Sequence, residues 1–181
     1  MRGRALIAAV VVSLLAGCSS WCGRATPVAP TRHVTDRVGV LAPDTVASLN
    51  NELAAYQQLT GHHVLVYVTD TSKGEIHSEW CKRVFNSWGV GRKGHDDGVV
   101  LFYFTEDRIV WITVGYGFEK AIPDREAARI YHDVVAPQIK AGDVSKGIQL
   151  GAAAILRAID KSEQGNGNRA KTGKSALDDD R

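Results

Sequence analysis

Two turns of this chain combine acidic residues with glycines. The first turn ends the glycine-rich segment 89–98, and the second follows an apolar run that stops at Val114. Carboxylates together with backbone carbonyls from glycine-rich turns supply the roughly six to eight hard oxygen ligands that Ca²⁺ takes in flexible geometry. The predicted metal ligands are Asp96, Asp97, Glu119 and Asp124, and the predicted lining residues are Gly98, Gly115, Tyr116 and Gly117.

Two continuous apolar runs predict the strands that position the first turn. Residues 64–68 and 99–104 have few polar side chains, which is typical of strands buried on both faces. Between them, residues 75–88 place Ile76, Trp80 and Val84 at four-residue intervals. This spacing predicts a crossover helix, and the two strands are therefore expected to be parallel neighbours.

A third strand, Ile109–Val114, is predicted to return antiparallel to the second, because the connection between them is of hairpin length. The start of the second strand and the end of the third then share one edge of the sheet, which brings the two acidic turns together. His62 and His63 precede the first strand and are expected near the same edge.

Helices are predicted on both sides of these strands. Pro43–Thr60 has apolar residues at helical spacing, Asp124 is a candidate N-cap for a helix that Pro137 bends or ends, and residues 144–159 repeat the helical spacing. The predicted fold class is α/β. We expect a three-layer α/β/α sandwich around a small mixed β-sheet, in which a βαβ unit is followed by an antiparallel hairpin.

Each acidic residue also has a purely structural interpretation. Asp96 and Asp97 precede a glycine as turn formers often do, Asp124 is suited to capping a helix, and Glu119 is free to be solvated or paired with Lys93. A nucleotide site is not expected, because no Gly-Lys-Ser/Thr follows the glycine-rich segment and a strand, not a helix, comes next.

The first residues predict export and lipid anchoring. Arg2 and Arg4 precede an apolar run that is too short to span a bilayer, which is typical of a secretory signal over residues 1–17. Residues 15–18, Leu-Ala-Gly-Cys, resemble a bacterial lipobox, in which Cys18 carries the acyl chains that anchor a protein to a membrane. Ser19 favours the outer membrane in a host that has two membranes.

Composition divides the rest of the chain. Residues 18–33 are predicted to be a lipidated cysteine and flexible tether, residues 34–161 a single domain, and residues 162–181 a disordered polar tail. The formal net charge is +2, and the basic residues are scattered without interleaved aromatic residues, so no nucleic-acid partner is expected. Cys22 and Cys81 are either a disulfide pair or two free thiols.

The order of these motifs resembles the TPM domain family. The resemblance runs from the Val-Thr-Asp-Arg-Val-Gly segment at Val34, through the glycine-rich segment with Asp96 and Gly98, to Gly-Tyr-Gly-Phe-Glu ending at Glu119. It implies the same layered α/β fold and an accessory role in an envelope or a thylakoid lumen. Some members are reported to bind calcium, and a plant relative to be an acid phosphatase. Asp97 stands where asparagine is common.

Three functions are consistent with these observations. The favoured hypothesis is a lipid-anchored envelope protein whose domain binds calcium and docks onto membrane-protein assemblies for their maintenance. A second is a calcium-dependent acid phosphatase, in which Asp96 or Asp97 positions the attacking water. A third is a metal-free interaction domain that docks through Tyr116 and Phe118. The first is favoured because the sequence shows no nucleophile paired with a base.

Overall fold

A four-stranded sheet forms the centre of the protein. The computed structural model describes residues 25–175, with side chains described as far as residue 165. The strands, in spatial order, are β1 (Val34–Asp36), β2 (His63–Thr69), β3 (Gly98–Phe104) and β4 (Ile109–Val114). β1 and β3 both run parallel to β2, and β4 runs antiparallel to β3. The predicted βαβ unit and hairpin are both present, so the mixed sheet is confirmed.

Helices cover both faces of this sheet. They are α1 (Pro43–Thr60), α2 (His77–Trp88), α3 (Asp124–Arg129), a π-helical segment (Ile130–Val135), α4 (Ala136–Lys140) and α5 (Val144–Ser175). On one face, Tyr67 and Phe102 pack with Trp80 of α2. On the other, Leu101 belongs to a larger cluster that reaches Ile155 of α5. This arrangement confirms the three-layer α/β/α sandwich.

β1 is a strand that the sequence did not predict. It has only three residues, too few to show an alternating pattern, and it pairs with the edge of β2. The backbone N–H of Val34 donates to Oδ1 of Asn50 at 2.9 Å, and the carboxylate of Asp36 accepts from the N–H groups of Val38, Gly39 and Leu41. These tertiary contacts stabilise the strand.

The helix after the second acidic turn begins one residue earlier than predicted and does not end at Pro137. Its N-cap is Pro123, and Asp124 is the first helical residue and makes no capping hydrogen bond. The predicted N-cap at Asp124 is therefore wrong by one residue, because Pro123 adopts the extended conformation of a cap. The chain also stays helical through Pro137, which lies in the first turn of α4 after the π-helical segment.

The C-terminal helix extends beyond the predicted domain. α5 continues past Lys161 to Ser175, so the first part of the predicted disordered tail is helical. Glu163 takes part in the fold, because its Oε1 lies 2.8 Å from Nε2 of the buried His62. A helix already anchored at its first turns propagates at little cost, which composition alone does not reveal.

Residues 25–33, which we call the strap, lie against the domain. Nη1 of Arg83 donates to Oγ1 of Thr26 at 2.7 Å, and Nε1 of Trp88 donates to the carbonyl of Pro27 at 2.7 Å. At the other end, Nε2 of His33 lies 2.6 Å from Oε1 of Gln57. The described part of the predicted flexible tether is therefore docked, mainly on α2.

Cys18 and Cys22 lie outside the described residues, so lipidation and disulfide pairing stay predictions. Cys81 is buried and forms no disulfide with another of the described residues, and burial raises the pKa of its thiol. Between residues 25 and 175, none of the helices combines the length and the hydrophobicity that crossing a bilayer requires.

Replacing Trp88 by phenylalanine is expected to loosen the strap. The change removes the indole donor to Pro27 and keeps an aromatic ring, and one such hydrogen bond contributes about 1 kcal/mol. Tryptic cleavage after Arg32 should accelerate about fivefold in limited proteolysis. The control is Trp111→Phe, which changes the same type of residue away from the strap. Equal cleavage rates in both variants would show that the indole does not fix the strap.

Candidate functional site

A groove of about 740 Å³ opens between α2 and α3 at the free edge of the sheet. Six consecutive residues of β4 and the turn after it, 111–116, line the groove. Phe85 of α2 and Val90, just after that helix, form one side of the groove. Ile122, just before α3, lies on the opposite side. The groove is therefore largely apolar along the strand. Trp111, with 39 % of its surface exposed, lies in it as well.

Three of the four predicted ligands line this groove. Asp96, Glu119 and Asp124 are all exposed there, beside the exposed ring of Tyr116. Within the part of the chain whose side chains are described, these three carboxylates make no hydrogen bond or ion pair. The antiparallel hairpin brings the two acidic turns to one edge, as its topology predicts.

Asp97 points away from the groove and into the protein. Asp97 is 4 % exposed. Oδ1 accepts from the backbone N–H of Arg92 at 2.7 Å, and Oδ2 accepts from Nε of Arg92 at 2.6 Å and lies 3.1 Å from Nδ1 of His62. Nη2 of Arg92 also pairs with Oδ2. Asp97 therefore holds the glycine-rich segment in a closed loop through its contacts with Arg92.

These contacts decide the ionisation of Asp97. Burial raises the pKa of the carboxyl group, but hydrogen bonds from Arg92 and His62 and the charge of Arg92 outweigh burial and lower the pKa to about 2. Asp97 is thus ionised throughout the neutral range. An ionised carboxylate already surrounded by donors has little capacity left for a metal ion or a water molecule.

His62 links the glycine-rich segment to α5. The ring is buried, with Nδ1 facing Asp97 and Nε2 facing Glu163, and it packs edge to face on Phe118 at a centroid distance of 4.8 Å. The neighbouring His63 has its pKa lowered by burial and by His33. Both histidines lie at the predicted edge, but neither lines the groove.

The predicted lining glycines allow two turns to pack backbone against backbone. A Cβ on Gly115 would collide with the carbonyl oxygen of Asp96, one on Gly117 with that of His95, and one on Gly98 with that of Val90. The N–H of Gly117 also donates to the carbonyl of Asp96 at 3.1 Å. Only residues without a side chain permit this contact, so the glycines position the acidic residues. Gly115 also lines the groove.

The comparisons with known proteins agree with this fold. The model of the TPM domain family matches residues 34–158, which is more than half of the chain. The chain belongs to the TPM domain family. None of the curated proteins matches it significantly.

Solved structures show the same architecture for this TPM domain. The N-terminal domain of a P. gingivalis protein has a TM-score of 0.67 at 27% identity, over 73% of this chain and 84% of that one. BA42 from the psychrophilic bacterium Bizionia argentinensis has a TM-score of 0.57 at 18% identity, over 67% and 82%. The N-terminal domain of the cg2496 protein from Corynebacterium glutamicum has a TM-score of 0.55 at 13% identity, over 72% and 81%.

The TPM domain presents the right donor types for calcium without a preassembled site. Among the residues whose side chains are described, no three histidine, cysteine, aspartate or glutamate side chains converge closely enough to hold a metal ion. Asp96, Glu119 and Asp124 are exposed hard oxygen donors with no partner among the described side chains. An ion at this place requires their side chains to turn toward one another.

Several residues of the TPM domain site were not identified from the sequence as such. Arg92 and Glu163 hold Asp97 and His62, but both lie in segments whose composition indicated only a loop and a tail. Trp111 lies in the groove, whereas its place in an apolar run predicts only a strand. Phe118, expected in an exposed patch with Tyr116, is buried, because its ring packs on His62.

Proposed function

We propose that this TPM domain protein is exported, is anchored to the cell envelope by acyl chains on Cys18, and docks membrane-protein assemblies through its groove. Asp96, Glu119 and Asp124 bind Ca²⁺ at the end of the groove, and the protein acts in the maintenance of the assembly without turning over a substrate. The lipobox at residues 15–18 supports the anchor, and the outer membrane is favoured in a host with two membranes.

The groove is the observation that carries this proposal. It combines an apolar strand and the exposed rings of Trp111 and Tyr116 with three carboxylates that have no partner among the described side chains. Monomeric proteins seldom leave such a combination open to solvent unless it binds something. Aromatic side chains are enriched where proteins bind other proteins, and the rim of such an interface is polar.

Calcium fits the donor chemistry of this end of the groove. Asp96, Glu119 and Asp124 are the residues that would hold it, and the exposed position of all three leaves their side chains free to rotate. Calcium would supply positive charge that joins the two turns and offsets the repulsion between their carboxylates. The lack of convergence among the described side chains keeps the metal-free interaction domain as the competing proposal.

The phosphatase hypothesis receives less support from the geometry. Asp97, one of the two residues predicted to position water, is buried and bonded to Arg92 and His62. Among the described residues that line the groove there is no histidine or cysteine to serve as a nucleophile or base. Asp96 remains as the only predicted water-positioning residue in the groove.

A calcium titration tests the metal part of the proposal. Saturating Ca²⁺ at one hundred times its dissociation constant should stabilise the exported chain by about 2.7 kcal/mol, because the ion binds only the folded state. Asp96→Asn combined with Glu119→Gln should abolish the stabilisation and leave the apo protein nearly unchanged. Thermal unfolding with and without Ca²⁺ measures both, and phosphate-ester turnover is assayed on the same samples.

The matched control is Glu106→Gln combined with Asp133→Asn. Both residues are exposed acids outside the groove, so the control removes the same charge. Full stabilisation in this control and none in the groove variant would support the site. Equal stabilisation in both variants would refute it. Turnover that disappears with the groove carboxylates would establish the phosphatase instead.

A further inference from the structure

The outer edge of β4 is an unpaired strand edge. Among the described residues 25–175, β4 is the last strand in the sheet and pairs only with β3. The N–H of Gly115 donates to the carbonyl of Gly98 at 2.8 Å, which fixes the phase of the antiparallel ladder. Every second residue back from Gly115 therefore faces β3, and the residues between them face outward. The outward backbone groups belong to Val110, Ile112 and Val114.

These outward groups face the groove. Ile112 and Val114 lie in its floor, with α2 on one side and α3 on the other. Within residues 25–175, the N–H and C=O groups of Val110, Ile112 and Val114 have no hydrogen-bond partner outside their own strand. Oγ1 of Thr113, on the same strand, is buried and also lacks a partner among the described residues. The outward backbone groups of β4 and the hydroxyl group of Thr113 are thus all available to a partner that enters the groove.

We propose that the groove binds an extended segment of a partner protein as a fifth strand, antiparallel to β4. The segment alternates apolar and small polar residues and carries lysine or arginine at its N-terminal end. This inference rests on the docking role proposed for the groove and names the class of partner. It does not depend on a bound metal ion.

Charge complementarity favours a partner segment with a basic N-terminal end. An antiparallel fifth strand places its N-terminal end beside the C-terminal end of β4. There Asp96, Glu119 and Asp124 have no partner in the part of the chain that the structure describes. A second copy of this chain fits worse, because its own β4 edge is also recessed between two helices. Main-chain hydrogen bonds supply affinity in such strand addition, and alternate side chains supply specificity.

A synthetic peptide is the probe for this proposal. It has two lysines at its N-terminal end followed by alternating valine and threonine, and its binding to the full exported chain in detergent is measured by fluorescence anisotropy with EDTA present. On binding, the amide hydrogens of Ile112 and Val114 should become protected from exchange, because they enter a hydrogen-bonded ladder. A peptide with glutamates in place of lysines should bind at least about tenfold more weakly.

Two isomeric peptides give the decisive comparison. Each is N-methylated at alternate residues, one at odd positions and one at even positions, so their composition and side chains are identical. Only one set of amides faces β4 in a strand-addition complex. One isomer should therefore lose at least about tenfold in affinity, and the other should bind like the unmethylated peptide.

Equal affinity of the two isomers would overturn the proposal, since it would mean contact through side chains alone. Absence of binding by every peptide would overturn it as well. The docking role of the groove is tested separately by cross-linking from the Tyr116 position in envelope preparations. Cross-links there without a difference between the isomers would leave the proposed function standing and refute the fifth strand.

Discussion

Replacing Gly115 by alanine is expected to lower the free energy of unfolding by about 3 kcal/mol or more. The new Cβ would collide with the backbone carbonyl of Asp96, and a backbone atom cannot move aside as a flexible side chain can. The two turns must then separate, and the hydrogen bond from the N–H of Gly117 to Asp96 is lost with them. Urea unfolding followed by circular dichroism measures the change.

Gly165→Ala is the matched control for this substitution. Gly165 lies in α5 with nothing near the position of an added Cβ. Alanine there should stabilise the helix by about 0.5 to 1 kcal/mol. If Gly115→Ala changed stability as little as the control does, the close contact between the two turns would not be a feature of the folded protein.

Replacing Asp97 by asparagine is expected to cost about 2 kcal/mol at neutral pH. Asparagine keeps the size of the side chain but cannot accept from Arg92 and His62 with the strength of an ionised carboxylate. Arg92 is partly exposed, so water offsets part of the loss. The value agrees with the lowering of the Asp97 pKa from an ordinary 3.8 to about 2.

The same contacts predict how stability depends on pH. Because the pKa of Asp97 is lower in the folded than in the unfolded chain, its contribution is complete above about pH 5. It is lost as pH falls toward about 2, where the folded state is protonated as well. The difference in unfolding free energy between wild type and Asp97→Asn should therefore shrink across this range.

Asp96→Asn is the matched control for Asp97→Asn. The two aspartates are adjacent, but Asp96 is exposed, without a side-chain partner in the described region, and has a positive φ of 50°, a conformation that asparagine also adopts readily. Its replacement should change stability by less than about 0.5 kcal/mol. A constant difference between wild type and Asp97→Asn from neutral to acid pH would show that the carboxylate charge is not what stabilises the loop.

Much of the architecture followed from the sequence because its signals are local. The runs that became β2 and β3 are continuously apolar, and α1 extends from Pro43 to Thr60 as predicted. The crossover helix between β2 and β3 predicts that these strands are parallel. The short connection between β3 and β4 predicts that these two are antiparallel. β1 has three residues and depends on contacts with Asn50 and β2, so no local pattern marks it.

The site was predictable in position but not in the role of each residue. Topology brought Asp96, Glu119 and Asp124 to one groove, as expected from the antiparallel return of β4. Asp96 has a left-handed backbone conformation, and Asp97 is the aspartate that faces inward. The inward position of Asp97 is stabilised by its contacts with Arg92 and His62. Such contacts join distant parts of the chain and leave no pattern in a single sequence.

If the protein is anchored to a bilayer as proposed, the docked strap would limit how far the domain can rise above that bilayer. With acyl chains on Cys18 as proposed, the linker from that cysteine to the start of the strap at Ala25 could span at most about 25 Å. A linker that ended at residue 33 would be about twice as long. The groove could then bind only those parts of a partner that lie within this distance of the bilayer. Release of the strap from Trp88 would let the domain reach farther from the bilayer.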